Sequence, residues 1–527
     1  MSDSQMGSGL AHLPVIDPNA AKKKVLIKTF GCQMNVADTE RMIALMGERG
    51  MEPTEEAADA DLIIINGCSV REKAVHKAVS FLGEQQILKK IKGEGPIIAL
   101  GGCVGQLDKG EVFKRAPYLD FVFGPDAIDQ LPELVHRAET GSKHFVQVTF
   151  DKTLSYSTQT KVHGSKAQAF VNIMKGCDKY CTYCIVPFTR GREKSRTIHE
   201  VLDDMAGLVA KGVREITLLG QNVNSFGKGN KNEQNFEPKE LNNPIGKCGP
   251  RDGDENFVQL LRQIETDPRM AKLKRLRYTS SHPLDFSDEL IACYGPVETG
   301  GLTKLAKQLH LPVQSGSDRV LTKMGRHHKI TNYVAQMKRL KELCPEVGFS
   351  TDLIVGFPTE TEEEFQETMS LLDAVEYDNI YAFAYSPRPG TRAAKLPDDV
   401  PNDVKNKRLN TLLQHQLTIA KRRYAERVGN VMEVLVEGQA KHQNMIQADA
   451  AGERVGRVWT GRTTCNRVVN FIDTTNRNYL GQFLMVKITG SSSLSLAGEL
   501  VHDASFAERN DGSVKYTSSY STSEIVQ

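Results

Sequence analysis

Met174-Lys-Gly-Cys-Asp-Lys-Tyr-Cys-Thr-Tyr-Cys184 sets Cys177, Cys181 and Cys184 in a C-x3-C-x2-C run with no fourth cysteine nearby. Three thiolates so spaced hold three irons of a [4Fe–4S] cube and leave the fourth iron open. A cube used only for electron transfer takes four protein ligands, so an open iron points to a second binding partner. The amino and carboxylate groups of S-adenosylmethionine (SAM) chelate such an iron, and reductive cleavage of SAM is the chemistry that fits. A closed zinc site is the competing reading; it wants four N or S ligands, and His199 is the nearest downstream histidine. Cys181-Thr-Tyr-Cys184 alone also reads as a redox pair.

The chain has 527 residues, long enough for several domains, with 39% hydrophobic and 25% charged residues and a net charge of +2. No apolar run is long enough for a membrane span, and the polar N-terminus lacks the apolar centre of a secretory signal. A cytoplasmic protein is expected. Its ten cysteines then read as ligands or buried thiols rather than a disulfide frame. The near-neutral charge gives no support for a strongly basic nucleic-acid binder, so any RNA contact must be local.

Three further cysteines stand at equivalent places in the first third. Lys24-Val-Leu-Ile-Lys-Thr29, Asp61-Leu-Ile-Ile-Ile-Asn66 and Pro96-Ile-Ile-Ala-Leu100 read as buried strands, the first two followed by helical stretches. Alternating strands and helices predict a parallel sheet with right-handed crossovers. All strand C-termini then share one edge, where ligands bind. Cys32, Cys68 and Cys103 fall just beyond these strands, at intervals of 36 and 35 residues, so the topology gathers them at one rim. Adjacent glycines allow tight turns and close approach of a bulky group. A second iron–sulfur cluster is the expectation; small apolar core residues are the alternative.

Beyond a polar link at 141–166, strands are predicted at 169–174, 215–219, 275–280, 308–312, 348–355 and 379–385, with helices at 197–211, 256–265, 332–343 and 361–374. Six parallel strands with outer helices suit a partial (β/α)6 barrel, reactive at its strand C-termini. Loops there carry Gln221, Asn222, Gln314 and Asp352, polar candidates for SAM, and Gly356, where backbone can approach adenine. His282 reads as a loop residue or hydrogen-bond partner. The stretch 224–256, with Cys248, reads as an inserted loop. Cys293, Cys344 and Cys465 lack ligand spacing.

After a helix ending in Lys421-Arg-Arg423, five short strands within 432–501 predict a small OB-like barrel, a fold that often binds nucleic acid. From residue 428 to 501, seven Lys/Arg stand against six Asp/Glu, so charge does not itself argue for RNA. The expected division is a disordered 1–22, an α/β domain at 23–145, a link at 146–166, the cluster domain at 167–427, a barrel at 428–502 and a disordered Ser/Thr-rich tail at 503–527.

With aromatic Tyr183 before its third cysteine, the 174–184 run resembles the radical-SAM signature. Together with Thr29-Phe-Gly-Cys-Gln-Met-Asn35, Asn66-Gly-Cys-Ser-Val-Arg-Glu-Lys-Ala74 and Gly101-Gly-Cys103, it resembles the methylthiotransferase family over roughly residues 23–501. Gln33-Met34-Asn35 and Ser69-Val-Arg-Glu-Lys73 match the tRNA branch; the ribosomal-protein branch usually has Pro-Lys-Asn after the first cysteine. Gly67 departs, since the tRNA branch commonly has threonine there. The stretches 459–462 and 468–471 resemble the TRAM domain of these enzymes.

The resemblance implies two [4Fe–4S] clusters, on Cys177, Cys181, Cys184 and on Cys32, Cys68, Cys103. It implies two uses of SAM, one giving a radical that takes hydrogen from C2 of a tRNA adenine and one methylating the sulfur to be inserted. The implied target is N6-isopentenyladenosine 37 in the anticodon stem-loop, with a reductase or flavodoxin-type electron donor and an unidentified sulfur donor. An aryl C–H is too weak an acid for side-chain bases, which is why a radical is needed. Alternatives are methylthiolation of a ribosomal-protein aspartate, of threonylcarbamoyladenosine in tRNA, and a non-catalytic metal-binding RNA module.

Overall fold

A strand with consecutive apolar residues must be covered on both faces, and Leu62-Ile-Ile-Ile65 is such a run. The protein's computed structural model describes residues 22–69, 72–91, 95–150, 167–228, 256–441, 443, 456–475 and 477–501. The terminal segments read as disordered lie outside the described residues, apart from Lys22. So do Val70, Arg71, the body of the 141–166 link from 151, and most of the 224–256 insertion with Cys248.

The first sheet comprises β1 (Lys24–Phe30), β2 (Glu52–Pro53), β3 (Leu62–Gly67), β4 (Ile97–Gly101), β5 (Phe121–Phe123) and β6 (Phe145–Gln147). Its order is β2-β1-β3-β4-β5-β6, parallel throughout. Alternate residues of β3 enter opposite cores, Leu62 and Ile64 on one face and Ile63 and Ile65 on the other. β6 corrects the sequence reading, because it lies inside the stretch taken as a link. Three residues are too short to show a period, and Phe145 is held by stacking on Phe121 at 5.1 Å.

The central domain contains β7 (Gln168–Asn172), β8 (Met174–Lys175), β9 (Lys194–Ser195), β10 (Glu215–Leu219), β11 (Arg275–Tyr278), β12 (Gln308–His310), β13 (Gly348–Val355) and β14 (Asn379–Ala384). Two three-stranded parallel sheets, β11-β10-β7 and β12-β13-β14, meet through a Leu276–Leu305 bridge. The result is a six-stranded arc with β7 and β14 at its ends. Outer helices begin where the sequence supplies reciprocal caps, at Thr197 with Glu200, Asn256 with Gln259 and Thr361 with Glu364. Ile216, Leu218, Leu309, Leu311, Phe349 and Leu353 pack toward those helices. By strand alternation Leu219, His310, Ser350 and Asp352 face the concave side.

β15 (Val431–Gln439), β16 (Arg457–Thr463), β17 (Val468–Asp473), β18 (Phe483–Ser491) and β19 (Leu496–Leu500) close into a barrel of order β15-β16-β17-β19-β18. Its β16–β17 turn docks under the arc. Arg277 donates to the carbonyls of Thr463 (2.7 Å) and Thr464 (3.1 Å), and Arg275 to that of Arg462 (3.1 Å). Arg467 pairs with Asp378. The barrel therefore covers the N-terminal ends of the arc strands and leaves the C-terminal ends for chemistry.

Burial opposes ionisation of Glu215, but Arg277 and Arg275 outweigh it and hold the carboxyl below its usual range. Arg275 also reaches Glu433 of β15 at 2.9 Å. Arg275→Met should therefore cost about 3 kcal/mol, the order expected on breaking a buried ion pair. A depressed carboxyl stabilises above its unfolded pKa, and that stabilisation is lost as pH falls through the folded value. The wild-type advantage in melting temperature should thus shrink below about pH 4, which calorimetry across pH will check.

Candidate active site with two cysteine triplets

Cys32 is the N-cap of helix α1 (Gln33–Glu48), Cys68 directly follows β3, and Cys103 lies in the first turn of helix α2 (Gly102–Asp108). Glycine is required where these loops crowd. A Cβ on Gly31 would lie 2.8 Å from that of Cys68, and Gly102 has φ +76°. A hydrogen bond from Cys68 brings the Cys32 thiol down to about 5, against burial and helped by Arg190. Burial pushes Cys103 up, with Arg190 opposing and Cys32 adding to the rise. The three thiols and one guanidinium thus share one electrostatic neighbourhood. An amide clasp holds two of the loops: Asn35 Nδ2 donates to Asn66 Oδ1 at 3.1 Å, and Asn66 Nδ2 donates to the Asn35 carbonyl at 2.8 Å.

The second triplet lies in the loop between β8 and β9. Gly176 has φ +76°, a Cβ there would lie 1.9 Å from the Arg192 carbonyl oxygen, and its N–H donates to Gln221 Oε1 at 2.5 Å. Asp178 accepts a forked pair from Arg192 at 2.7 and 2.9 Å, a bond geometry that fixes orientation. The thiols interact: burial first, then Cys184, Glu193 and Cys181, push Cys177 well up, and burial with Cys181 takes Cys184 to about 12. Arg326, from beyond the helix Asp318–Lys323, places Nη1 3.8 Å from Cys181 Sγ and also donates to the Pro312 carbonyl. Burial raises the Tyr183 phenol, Arg326 opposes, and Cys181, Cys184 and Asp352 raise it further, so Tyr183 and Asp352 adjoin the triplet.

Asn222 donates to Asp285 at 2.7 Å, and Asp285 also pairs with Lys179 at 2.7 Å and Lys228 at 3.0 Å. Gln314, at φ +78°, bridges to β13 through its own backbone, donating to the Asp352 carbonyl and accepting from the Ile354 N–H, each at 2.9 Å. Asp352 Oδ1 lies 3.6 Å from His310 Nε2. Gly356 N–H donates to Glu360 at 2.6 Å, and the space of a Cβ is taken by Lys405 Cγ at 2.3 Å, so this glycine admits the stem of a helix residue. Arg190, Arg326, Glu193 and Lys179 were missed from sequence. Arg190 and Glu193 carried a signal, being charges immediately after a cysteine loop; Arg326 carried none.

The residues present fit iron–sulfur clusters and SAM. Each triplet is a soft, all-thiol donor set beside a buried arginine. Among the described residues no three His, Cys, Asp or Glu side chains converge as ligands of a single ion would, and a cube spreads its thiolates over several metals. Near the second triplet, Gln221 Nε2, Asn222 Oδ1, His282 Nε2 and Arg326 Nε are buried without a protein partner. These donors and acceptors suit a ligand bearing carboxylate, amine and hydroxyl groups.

The elements that carry the two sets pack against each other. Met34, Ala37 and Leu219 form one buried cluster, with Cys32 and Phe170 packed against it. Arg190 pairs with Asp38 of α1 at 2.6 Å. Arg190 lies six residues past Cys184, with the helical turn Val186–Arg190 between, so their Cα atoms are within about 20 Å.

These features define a radical-SAM protein carrying a second cysteine domain and a small barrel. The Radical SAM superfamily matches residues 171–372, and residues 24–124 match "Uncharacterized protein family UPF0004". The chain is 42% identical to the tRNA-2-methylthio-N(6)-dimethylallyladenosine synthase of Delftia acidovorans over 91% of this chain and 99% of that one. It is 41% identical to the enzyme of that name from Bdellovibrio bacteriovorus over 90% and 95% of the two chains. Among solved structures it overlays the radical SAM methyltransferase TsrM of Kitasatospora setae with TM-score 0.48 and 14% identity, covering 71% and 77%. The chain belongs to the tRNA-2-methylthio-N(6)-dimethylallyladenosine synthase family of methylthiotransferases. That family implies SAM and a [4Fe–4S] cluster.

Gly67 has a local explanation. A Cβ there would lie 2.8 Å from Val104 Cγ2, so Gly67→Thr should cost about 1–3 kcal/mol by overpacking. Val104→Ala added to it should recover most of the loss in a denaturant titration. Asn66→Leu, which breaks the amide clasp, should lower iron bound at the first triplet while leaving that at Cys177, Cys181 and Cys184, as measured by iron analysis and Mössbauer spectra.

Proposed function

We propose that this protein adds a methylthio group to C2 of N6-isopentenyladenosine at position 37 of tRNA, in the cytoplasm. Cys177, Cys181 and Cys184 would hold a cube whose open iron takes SAM. Cys32, Cys68 and Cys103 would hold a second. When bound, the first would supply one-electron reducing chemistry toward SAM, and the second would carry sulfur for donation. Gln221, Asn222 and Asp352, beside the second triplet or across from Tyr183, are the chain's polar contacts for SAM; Gln314 belongs to the same edge. Arg190 and Arg326 set cationic charge against the two thiolate groups, offsetting their burial. A reductase or flavodoxin-type protein would supply electrons, and the sulfur donor is unassigned.

The observation that carries this reading is the packing of Cys32 with Phe170 and Leu219, which brings the Cys32, Cys68 and Cys103 set to the arc that also holds Cys177, Cys181 and Cys184. Reconstituted protein with SAM and reductant should methylthiolate a prenylated anticodon stem-loop and not ribosomal protein, by nucleoside and peptide mass spectrometry. Modification of ribosomal protein alone would reject it. Iron and acid-labile sulfide near about eight each are expected for two cubes. Cys68→Ala should keep SAM cleavage to 5′-deoxyadenosine and abolish the methylthio product, whereas Cys181→Ala should abolish both.

A further inference from the structure

β14 displays two large aromatics that its packing does not use. Ile380 and Ala382 face the core under the outer helices, while Tyr381 and Phe383, on the opposite face, are 45% and 42% exposed. That face is the concave one. His310 of β12 meets the Tyr381 ring edge-on at 5.7 Å, passing over Ser350 of the strand between them, whose Oγ it contacts at 3.0 Å. Side chains two strands apart meet in this way where the sheet curves toward them. Tyr381 is the register partner of Asp352 and Phe383 of Ile354, and Ile354 packs against the same buried cluster as Tyr183 of the cysteine loop. The aromatic pair therefore runs on directly from the candidate site, on the last strand of the arc.

We infer that Tyr381 and Phe383 form the wall against which the target base and its apolar N6 substituent lie, and so set the preference for N6-alkylated adenosine. The inference rests on the proposed substrate. An aromatic face stacks any base, and the branched hydrocarbon on N6 gains by leaving water for an apolar surface. His310, Ser350 and Asp352 make a polar corner beside the pair. At the other end of the arc the half-buried Phe170 packs with Cys32 against the cluster of Met34, Ala37 and Leu219.

The test is the ratio of dissociation constants for prenylated and unprenylated anticodon stem-loops, by fluorescence anisotropy with the reconstituted protein. Wild type should favour the prenylated RNA by about ten- to hundred-fold, the range that small hydrophobic groups supply. In Phe383→Ala and Tyr381→Ala the ratio should fall to near one through weaker binding of the prenylated RNA, with iron content and visible absorption checking the fold. Phe383→Leu, which keeps apolar bulk, should retain most of it. A wild-type ratio near one, or a ratio unchanged in both alanine variants, overturns the inference. Binding does not depend on turnover, so a wild-type protein that discriminates but yields no methylthio product would refute the proposed reaction and leave this assignment standing.

Discussion

The Arg190–Asp38 pair is the contact on which the arrangement of the two cysteine sets depends. Both side chains are buried, at 5% exposure each, and desolvating two ions costs several kcal/mol that their mutual attraction offsets only with good geometry. Such a pair is poor value as plain stabilisation. Its effect is positional: Arg190 ends the short helix that follows Cys184, and Asp38 lies on the helix capped by Cys32. A shift of one loop relative to the other would leave a buried charge unpaired. Asp38 and the nearby Cys103 and Cys32 together hold the guanidinium well above its ordinary pKa despite burial, so Arg190 serves as a fixed cation for the first set.

The same logic runs in reverse at the far end of the arc. Arg275, Arg277 and Glu215 form a buried charged group there, with β15 and the β16–β17 turn supplying further partners. Small-barrel backbone carbonyls satisfy donors that would otherwise face an unfilled strand edge. The small barrel thereby closes the N-terminal end of the arc with protein, and it contains no cysteine of either triplet.

Much of this was legible in sequence because apolar runs and strand-end cysteines are local signals. β3 and β10 announce themselves as buried strands, and one parallel edge was enough to group Cys32, Cys68 and Cys103. β6 was not legible, since Phe145-Val-Gln147 is fixed by a partner strand rather than by its own pattern. Gly356 was legible only in part: a glycine in sequence says that a side chain is unwelcome, but not that Lys405, 49 residues later, fills the space of its Cβ. Arg326 is 142 residues from Cys184, and no spacing rule links them. Only the curvature of the arc brings its helix against the cysteine loop, through Thr182 N–H and the Met324 carbonyl at 2.8 Å.

The two triplets also differ in how their surroundings are satisfied. Around the first, the amides of Asn35 and Asn66 bond each other, and Thr39 takes a further bond from Asn66 at 2.9 Å. Around the second, Gln221, Asn222, His282 and Arg326 each keep a buried polar atom without a protein partner. Each such atom costs about 1–3 kcal/mol if nothing pairs with it, a large sum against a net stability of about 5–15 kcal/mol. Burial drives His282 well below its ordinary pKa, so it stands neutral with Nδ1 already accepting the Leu284 N–H. That leaves Nε2–H as a donor, beside the Arg326 Nε–H donor, the Gln221 amide donor and the Asn222 carbonyl acceptor. Three donors and an acceptor around an all-thiol loop match a zwitterionic ligand better than they match bulk apolar packing. Ser69 Oγ, beside Cys68, is likewise buried without a protein partner, so the two surroundings differ in the number of such atoms rather than in kind.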